Sequence, residues 1–293
     1  MSQSKIAFIG AGKMGLPVCK RLKAAGHDIK ILARRADQAR ALQELGFIIE
    51  NNVPDLVRGA DIVFTCLPDD QTLCDVLLNE TTVSALPHKA VMIDMSTVSP
   101  DISARIATHL PKGIAFLRSP VSGSTGMAES GTLTALVSGP QTAFEAQSEI
   151  FGAFSKKAFY LGAAEEARFL KLAINSMVAA TSALLGEALA LGVKGGLTNA
   201  AMLEVITQSA VASPLIGYKK DMIICGNYQP AATLNMLKKD LDLFLDAGRN
   251  QGVAMPINSE IHKIYSSASK RGLGEKDFFV LVEEAEKAAN KKQ

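Results

Sequence analysis

The sequence predicts an α/β domain with a parallel sheet, followed by an all-α domain, the two joined through one long interdomain helix. Three observations predict this. Short apolar runs alternate with helical patterns up to residue 162, strand signals stop beyond it, and a proline-free stretch of good helix formers lies at the junction. The expected division is residues 1–162 and 163–293.

Composition narrows the class. At 293 residues, 48% hydrophobic and 20% charged, the chain reads as a soluble globular protein of one large or two medium domains. A net charge of +2, no Trp and only four Tyr give no footprint for nucleic acid. Four cysteines without CxxC spacing and four histidines without HExxH argue against a disulfide framework or a bound metal. The N-terminus enters a strand at once, with no charged and then apolar leader, so a cytoplasmic location is expected.

Taken in order, Lys5 to Gly10 (KIAFIG) is an apolar run suited to a buried parallel strand. The loop Gly10-Ala11-Gly12-Lys13-Met14-Gly15 follows, then a helix pattern from Met14 to Ala25 and a second strand, Asp28 to Leu32. GxGxxG alone is a weak signal. Between a strand and a helix, closed by a second strand, it meets the requirement for a Rossmann dinucleotide site. The glycines let backbone approach a pyrophosphate, which the N–H groups of the helix N-terminus can bind. After the second strand, where an NAD site usually carries an acid, stand Arg34 and Arg35. A guanidinium fork suits a 2′-phosphate, so NADP is favoured over NAD; the plainer alternative is a solvated arginine pair.

Phe47 to Ile49, Ala60 to Leu67, Ala90 to Met95 and Ile114 to Leu117 continue the strands. Gln71 to Leu78 is helical, and Pro100 opens another helix near its first position. Leu67-Pro68-Asp69 and Ser96-Thr97 fall at the carboxyl edge, where ligands of open sheets collect. Arg118 to Gly126 (RSPVSGSTG), flanked by strands ending at Leu117 and running from Leu133 to Val137, reads as a rigid anion-binding loop.

The long helix lies within Gly162 to Leu197 and stops at Gly195-Gly196. Its only charge from Leu172 to Val193 is Glu187, so burial nearly all round is expected. Asn175, Ser176, Thr181, Ser182 and Glu187 interrupt its apolar part, which argues against a membrane span. Lys171 and Asn175, four apart, share one face, and a buried ammonium there is costly unless something uses it. Five helical patterns follow, at about 198–208, 214–224, 233–251, 256–271 and 276–289. Lys239 and Asp240 fall near the start of the third; on spacing alone they read as a surface charge cluster.

Four motifs carry a resemblance: residues 8–27 (FIGAGKMGLPVCKRLKAAGH), 119–134 (SPVSGSTGMAESGTLT), Gly162 through Lys171 to Asn175, and KDL at 239–241. In this order they resemble the β-hydroxyacid dehydrogenase family, which includes 3-hydroxyisobutyrate dehydrogenases, tartronate semialdehyde reductases and glyoxylate/succinic semialdehyde reductases. The resemblance covers essentially the whole chain. It implies an NADP(H)-dependent enzyme interconverting a small semialdehyde and its hydroxy acid, with Lys171 as general acid/base and Asn175 beside it. It further implies that Ser122, Gly123 and Ser124 hold the substrate carboxylate. Leu67, Pro68 and Thr97 would line the nicotinamide side, and Lys239 would close over cofactor or substrate. A homodimer or homotetramer is expected, both from the family and from a spare apolar face on the long helix. The alternatives are an imine reductase, against which Lys171 argues, and a non-catalytic dinucleotide-binding module.

The chain departs from the family pattern in places. Arg118-Ser119 replaces Asp-Ala, Ser124 a second glycine, Glu165 and Ala167 two glycines, and Ile174 an asparagine. Glu165 and Glu166 would repel a substrate carboxylate unless turned away. Arg118 and Arg168 are expected either to compensate or to recognise a second anionic group.

Overall fold

The computed structural model describes residues 3–290, and the chain folds as two compact units, Met1–Lys171 and Leu172–Gln293. The first unit begins with β1 (Lys5–Ile9), α1 (Gly15–Ala24), β2 (Asp28–Leu32), α2 (Ala36–Glu44), β3 (Ile48–Glu50), α3 (Val53–Val57) and β4 (Ile62–Thr65). It continues through α4 (Asp70–Leu77), α5 (Glu80–Ala85), β5 (Val91–Asp94), α6 (Pro100–His109) and β6 (Ala115–Arg118). Then come β7 (Val121–Ser122), α7 (Thr125–Ser130), β8 (Leu133–Ser138), α8 (Gln141–Ala146), α9 (Ser148–Phe154) and β9 (Ser155–Gly162).

The sheet runs β3-β2-β1-β4-β5-β6-β8-β7, with β9 on β8. Strands β1 to β6 are all parallel, in register such as Ala7 beside Val63 and Phe64 beside Ile93. The order 3-2-1-4-5-6 is that of a doubly wound sheet, whose crevice lies at the carboxyl ends where β1 and β4 diverge. Alternation along β1 feeds two cores. Ile6 and Phe8 join Val18, Ile31 and Phe154 on one face; Ala7 and Ile9 join Leu56, Val63 and Met92 on the other.

Two strands escaped the sequence pattern. β7 has only two residues. β9 exposes Lys156 and Lys157 and pairs on one side only, with β8, so it shows no continuous apolar run.

The long helix, α10 (Glu166–Lys194), begins in the first unit and continues in the second. There it is joined by α11 (Asn199–Ile206), α12 (Pro214–Cys225), α13 (Leu234–Asn250), α14 (Pro256–Ala268) and α15 (Val280–Asn290). A π-turn, Ser269–Leu273, extends α14, and α15 starts four residues later than the expected 276. Ala179, Leu185, Leu189, Leu203, Leu241, Tyr265 and Phe279 belong to this unit's core.

The expectation that α10 is buried nearly all round is corrected. Met177, Leu184 and Leu191 are 70%, 63% and 76% exposed, a stripe at seven-residue spacing. One stripe of the helix suffices for the core of this unit, and the opposite face is apolar without being covered by it. Among the described residues α10 is the one helix long and apolar enough to cross a membrane, and 44% of its most apolar window is buried.

Candidate functional site

The glycine loop joins β1 to α1 at the carboxyl edge. Gly10 has φ +104°, and a Cβ there would lie 2.2 Å from the Cys66 carbonyl oxygen; a Cβ on Gly15 would lie 2.2 Å from the Gly10 oxygen. A Cβ on Gly12 would meet nothing within 4 Å. Gly10 and Gly15 thus let the loop pack on β4 and on itself, while Gly12 presents open backbone. Met14 N-caps α1 and Arg35 N-caps α2, neither with a side-chain cap, whereas Asp69 caps α4 and Ser99 caps α6. The helices after β1 and β2 thus leave their first N–H groups unanswered by a cap side chain, as α8, α9 and α14 also do. Arg34 and Arg35 are exposed, and Arg35 lies 3.7 Å from an equally exposed Asp37, a contact of little energetic weight. Below the loop, the thiol of Cys66 is pushed up to about 12, chiefly by burial and then by the Asp94 charge, and burial also raises Cys19. Both thiols stay protonated at neutral pH.

The strand ends beside the loop are held by a buried polar network. Asp94, with no exposure, accepts from Thr65 Oγ1 at 2.6 Å, Ser96 Oγ at 2.6 Å and the Ser96 amide at 3.1 Å. Ser96 Oγ in turn accepts from the Leu67 amide at 2.9 Å. Arg168, 1% exposed, pairs with Asp94 through Nη2, donates from Nη1 to the Ser96 carbonyl at 2.6 Å and from Nε to Ser103 Oγ at 3.2 Å. The network fixes Leu67 next to Pro68, and Ser96 next to Thr97. Sequence reasoning had no role for Asp94; its only signal was a carboxylate ending an apolar strand.

Ser122 pairs with Thr134 across β7 and β8, and Gly123 follows at φ +140°. Ser124 caps α7, its hydroxyl accepting from the Met127 amide at 3.4 Å. Of the two arginines, Arg118 compensates Glu165, whereas Arg168 pairs with Asp94 instead and answers neither acid at the helix start. Arg118, 6% exposed, donates from Nε to Glu165 Oε1 at 2.9 Å, pairs with the same oxygen through Nη2 and donates from Nη1 to the Phe116 carbonyl at 3.3 Å. Glu166 folds back to accept from the Ala164 amide at 2.7 Å. Each acid at the helix start is thus engaged by a protein donor.

Lys171 and Asn175 stand one turn apart on α10. Asn175 Nδ2 donates to Asp240 Oδ2 at 2.6 Å, and Lys239 Nζ lies 3.0 Å from Asp240 Oδ1. Asp240 is 7% exposed, which corrects the reading of 239–240 as a surface cluster. α13 buries Leu237 and Leu241, and Asp240 lies on that side of the helix. Among the described residues no cluster of three or more His, Cys, Asp or Glu is arranged to hold a metal.

Comparison with known proteins gives a consistent picture. Residues 5–162 match the family described as the NAD binding domain of 6-phosphogluconate dehydrogenase. Residues 166–284 match that described as NAD-binding of NADP-dependent 3-hydroxyisobutyrate dehydrogenase. An uncharacterized oxidoreductase of Shewanella frigidimarina is 31% identical over 90% of this chain and 91% of its own. The cytokine-like nuclear factor N-PAC of Anopheles gambiae is also 31% identical, over 94% of this chain but only 49% of its own. Glyoxylate/succinic semialdehyde reductase 2 of Arabidopsis thaliana is 29% identical over 98% of this chain and 81% of its own. Among solved structures, 3-hydroxyisobutyrate dehydrogenase of Salmonella typhimurium superposes with a TM-score of 0.87 at 20% identity, covering 96% of this chain and 100% of that one.

Proposed function

The chain belongs to the β-hydroxyacid dehydrogenase family and is an NAD(P)-dependent oxidoreductase; from that premise we propose that it reversibly reduces a small semialdehyde to its hydroxy acid with NADPH. The observation that carries this reading is the pair on consecutive turns of α10, Lys171 and Asn175, with the Asn175 amide anchored on buried Asp240. When bound, the nicotinamide supplies the hydride. Lys171 donates a proton to the carbonyl oxygen, where negative charge gathers in the transition state, and takes it back in the reverse direction. Asn175, held by Asp240, orients the same oxygen. Ser122, Gly123 and Ser124 bind the substrate carboxylate through N–H and hydroxyl donors, and Lys239 assists from the helical domain. The glycine loop, with Leu67, Pro68 and Thr97, holds the cofactor. Arg34 and Arg35, beside the uncapped start of α2, bind the 2′-phosphate that distinguishes NADPH from NADH.

In this reading residues 1–162 bind the cofactor, and 163–293 serve substrate closure and assembly. Leu191, the last residue of the exposed stripe Met177, Leu184, Leu191, lines a groove of about 490 Å³ with Ala190, Leu281 and Ala285 among its walls. Glu187, Glu284, Lys194 and Arg271 bring both charge signs to the same groove. An apolar surface with both signs along it suits a second copy under two-fold symmetry, so the assembly is a homodimer or built from one. Four free cysteines fit a reducing compartment, and we place the enzyme in the cytoplasm.

Turnover of succinic semialdehyde and of glyoxylate with NADPH tests the chemistry. Lys171→Ala is expected to lower kcat by about 10²–10⁴-fold. A variant that keeps its kcat would refute the assignment of the acid.

A further inference from the structure

Arg118 and Glu165 stand 47 residues apart in the chain and at two strategic ends. Arg118 is the last residue of β6, four before Ser122, and Pro120 between them restricts the connecting backbone. The Glu165 carbonyl accepts from the amides of Arg168 at 2.9 Å and Phe169 at 3.1 Å, so α10 winds directly from it. Lys171 follows six residues later, about 9 Å along the axis at the rise of an α-helix. A displacement of Glu165 is therefore carried to Lys171 by the helix itself.

We propose that the Arg118–Glu165 pair is a positioning device: it ties the strand that leads into Ser122 to the first turn of the helix that carries Lys171. The proposal rests on the reading of Lys171 as the proton donor. The tie is stiff. The guanidinium lies 4.7 Å from the Phe116 ring centroid, donates to the Phe116 carbonyl, and reaches one Glu165 oxygen with both Nε and Nη2. Arg168 supplies a second tie from the same turn of α10 to Asp94 and Ser96 at the end of β5. A buried ion pair is a poor source of net stability, because desolvating both charges offsets their attraction. Its fixed fork supplies geometry instead, and a displacement of about 1 Å at a reacting centre can cost about 10²-fold in rate.

The full chain carrying Arg118→Lys, Glu165→Gln or the double R118Q/E165Q tests this, with succinic semialdehyde and NADPH as probes. Arg118→Lys keeps the charge and removes the fork. Each single variant is expected to lower kcat about tenfold while KM for NADPH stays within about threefold, and the double to lose no more than the worse single, since both act through one contact. The proposal is overturned if kcat stays within twofold of the parent or the two losses multiply. It also falls if NADPH affinity drops in step with kcat, or if even Arg118→Lys fails to melt cooperatively. Lys171→Ala is measured alongside. If that variant keeps its turnover, both this proposal and the reading beneath it fail; if it is dead while the pair variants are unaffected, only the positioning role fails.

Discussion

What separates the cations of this protein is whether a carboxylate already holds them. Arg118 and Arg168 are each buried against a single acid, so neither can serve as a second anion receptor without leaving that acid unpaired. Arg34 is exposed at the end of β2, where a phosphate can reach it. One hydrogen bond to a charged group contributes about 1.5–3 kcal/mol, so Arg34→Ala should weaken NADPH binding by roughly ten- to a hundredfold and leave NADH unchanged. Fluorescence titration with the two reduced cofactors checks this; a preference for NADH, unaltered in the variant, refutes the NADP reading.

Among the elements, α10 has two faces with different tasks. Leu172, Ala179, Leu185 and Leu189 are buried, while Met177, Leu184 and Leu191 repeat along the uncovered side. If that side is the proposed dimer contact, Leu184→Glu should convert the assembly to monomers in light scattering after gel filtration. An unchanged mass would exclude this face. A different tie joins α12 to the segment before α15: Lys219 Nζ contacts Asp277 Oδ2 at 2.5 Å and lies 5.1 Å from the Phe278 ring centroid. Asp277 also accepts from the Phe279 amide at 3.1 Å. Lys219→Met strands a buried carboxylate and should cost about 3–5 kcal/mol in urea unfolding, whereas K219M/D277N should recover part of the loss. Equal midpoints for parent and Lys219→Met would show the pair to be dispensable.

For the molecule as a whole, alkali is the foreseeable stress on the helical unit. Burial, followed by the charges of Glu286, Glu283 and Asp277, pushes the Tyr228 hydroxyl up to about 12, and burial raises Tyr265 further despite its bond to Ser182. Above about pH 10 the unfolded chain releases these protons while the folded chain retains them. The unfolded state then binds fewer protons, so stability falls with rising pH, by up to about 1.4 kcal/mol per pH unit for each such group. The loss for Tyr228 is spread between about pH 10 and its folded value of about 12. Thermal midpoints should drop through this range, and less steeply in Tyr228→Phe. Parallel curves for the two proteins would show that Tyr228 contributes nothing.

Much of this architecture was legible before any tertiary information. Continuous apolar runs such as IVFT in β4 and VMID in β5 mark strands buried on both faces, and GxGxxG between strand and helix marks the cofactor loop. The length of α10 and its glycine stop follow from local propensity, because helix formation depends on neighbours within a few residues. The edge strand β9 was hidden, since its two lysines break the pattern that burial writes into a sequence. The fates of Arg118, Glu165, Arg168 and Asp240 were hidden for another reason. A charge is affordable in the interior only when an opposite or hydrogen-bonding group meets it, and the partners here come from 47 to 74 residues away. The sequence by itself thus determined the order of elements, the glycine loop and the helix that carries Lys171. Which charges are consumed inside the protein and which stay open to a ligand was decided only when the fold brought distant residues together.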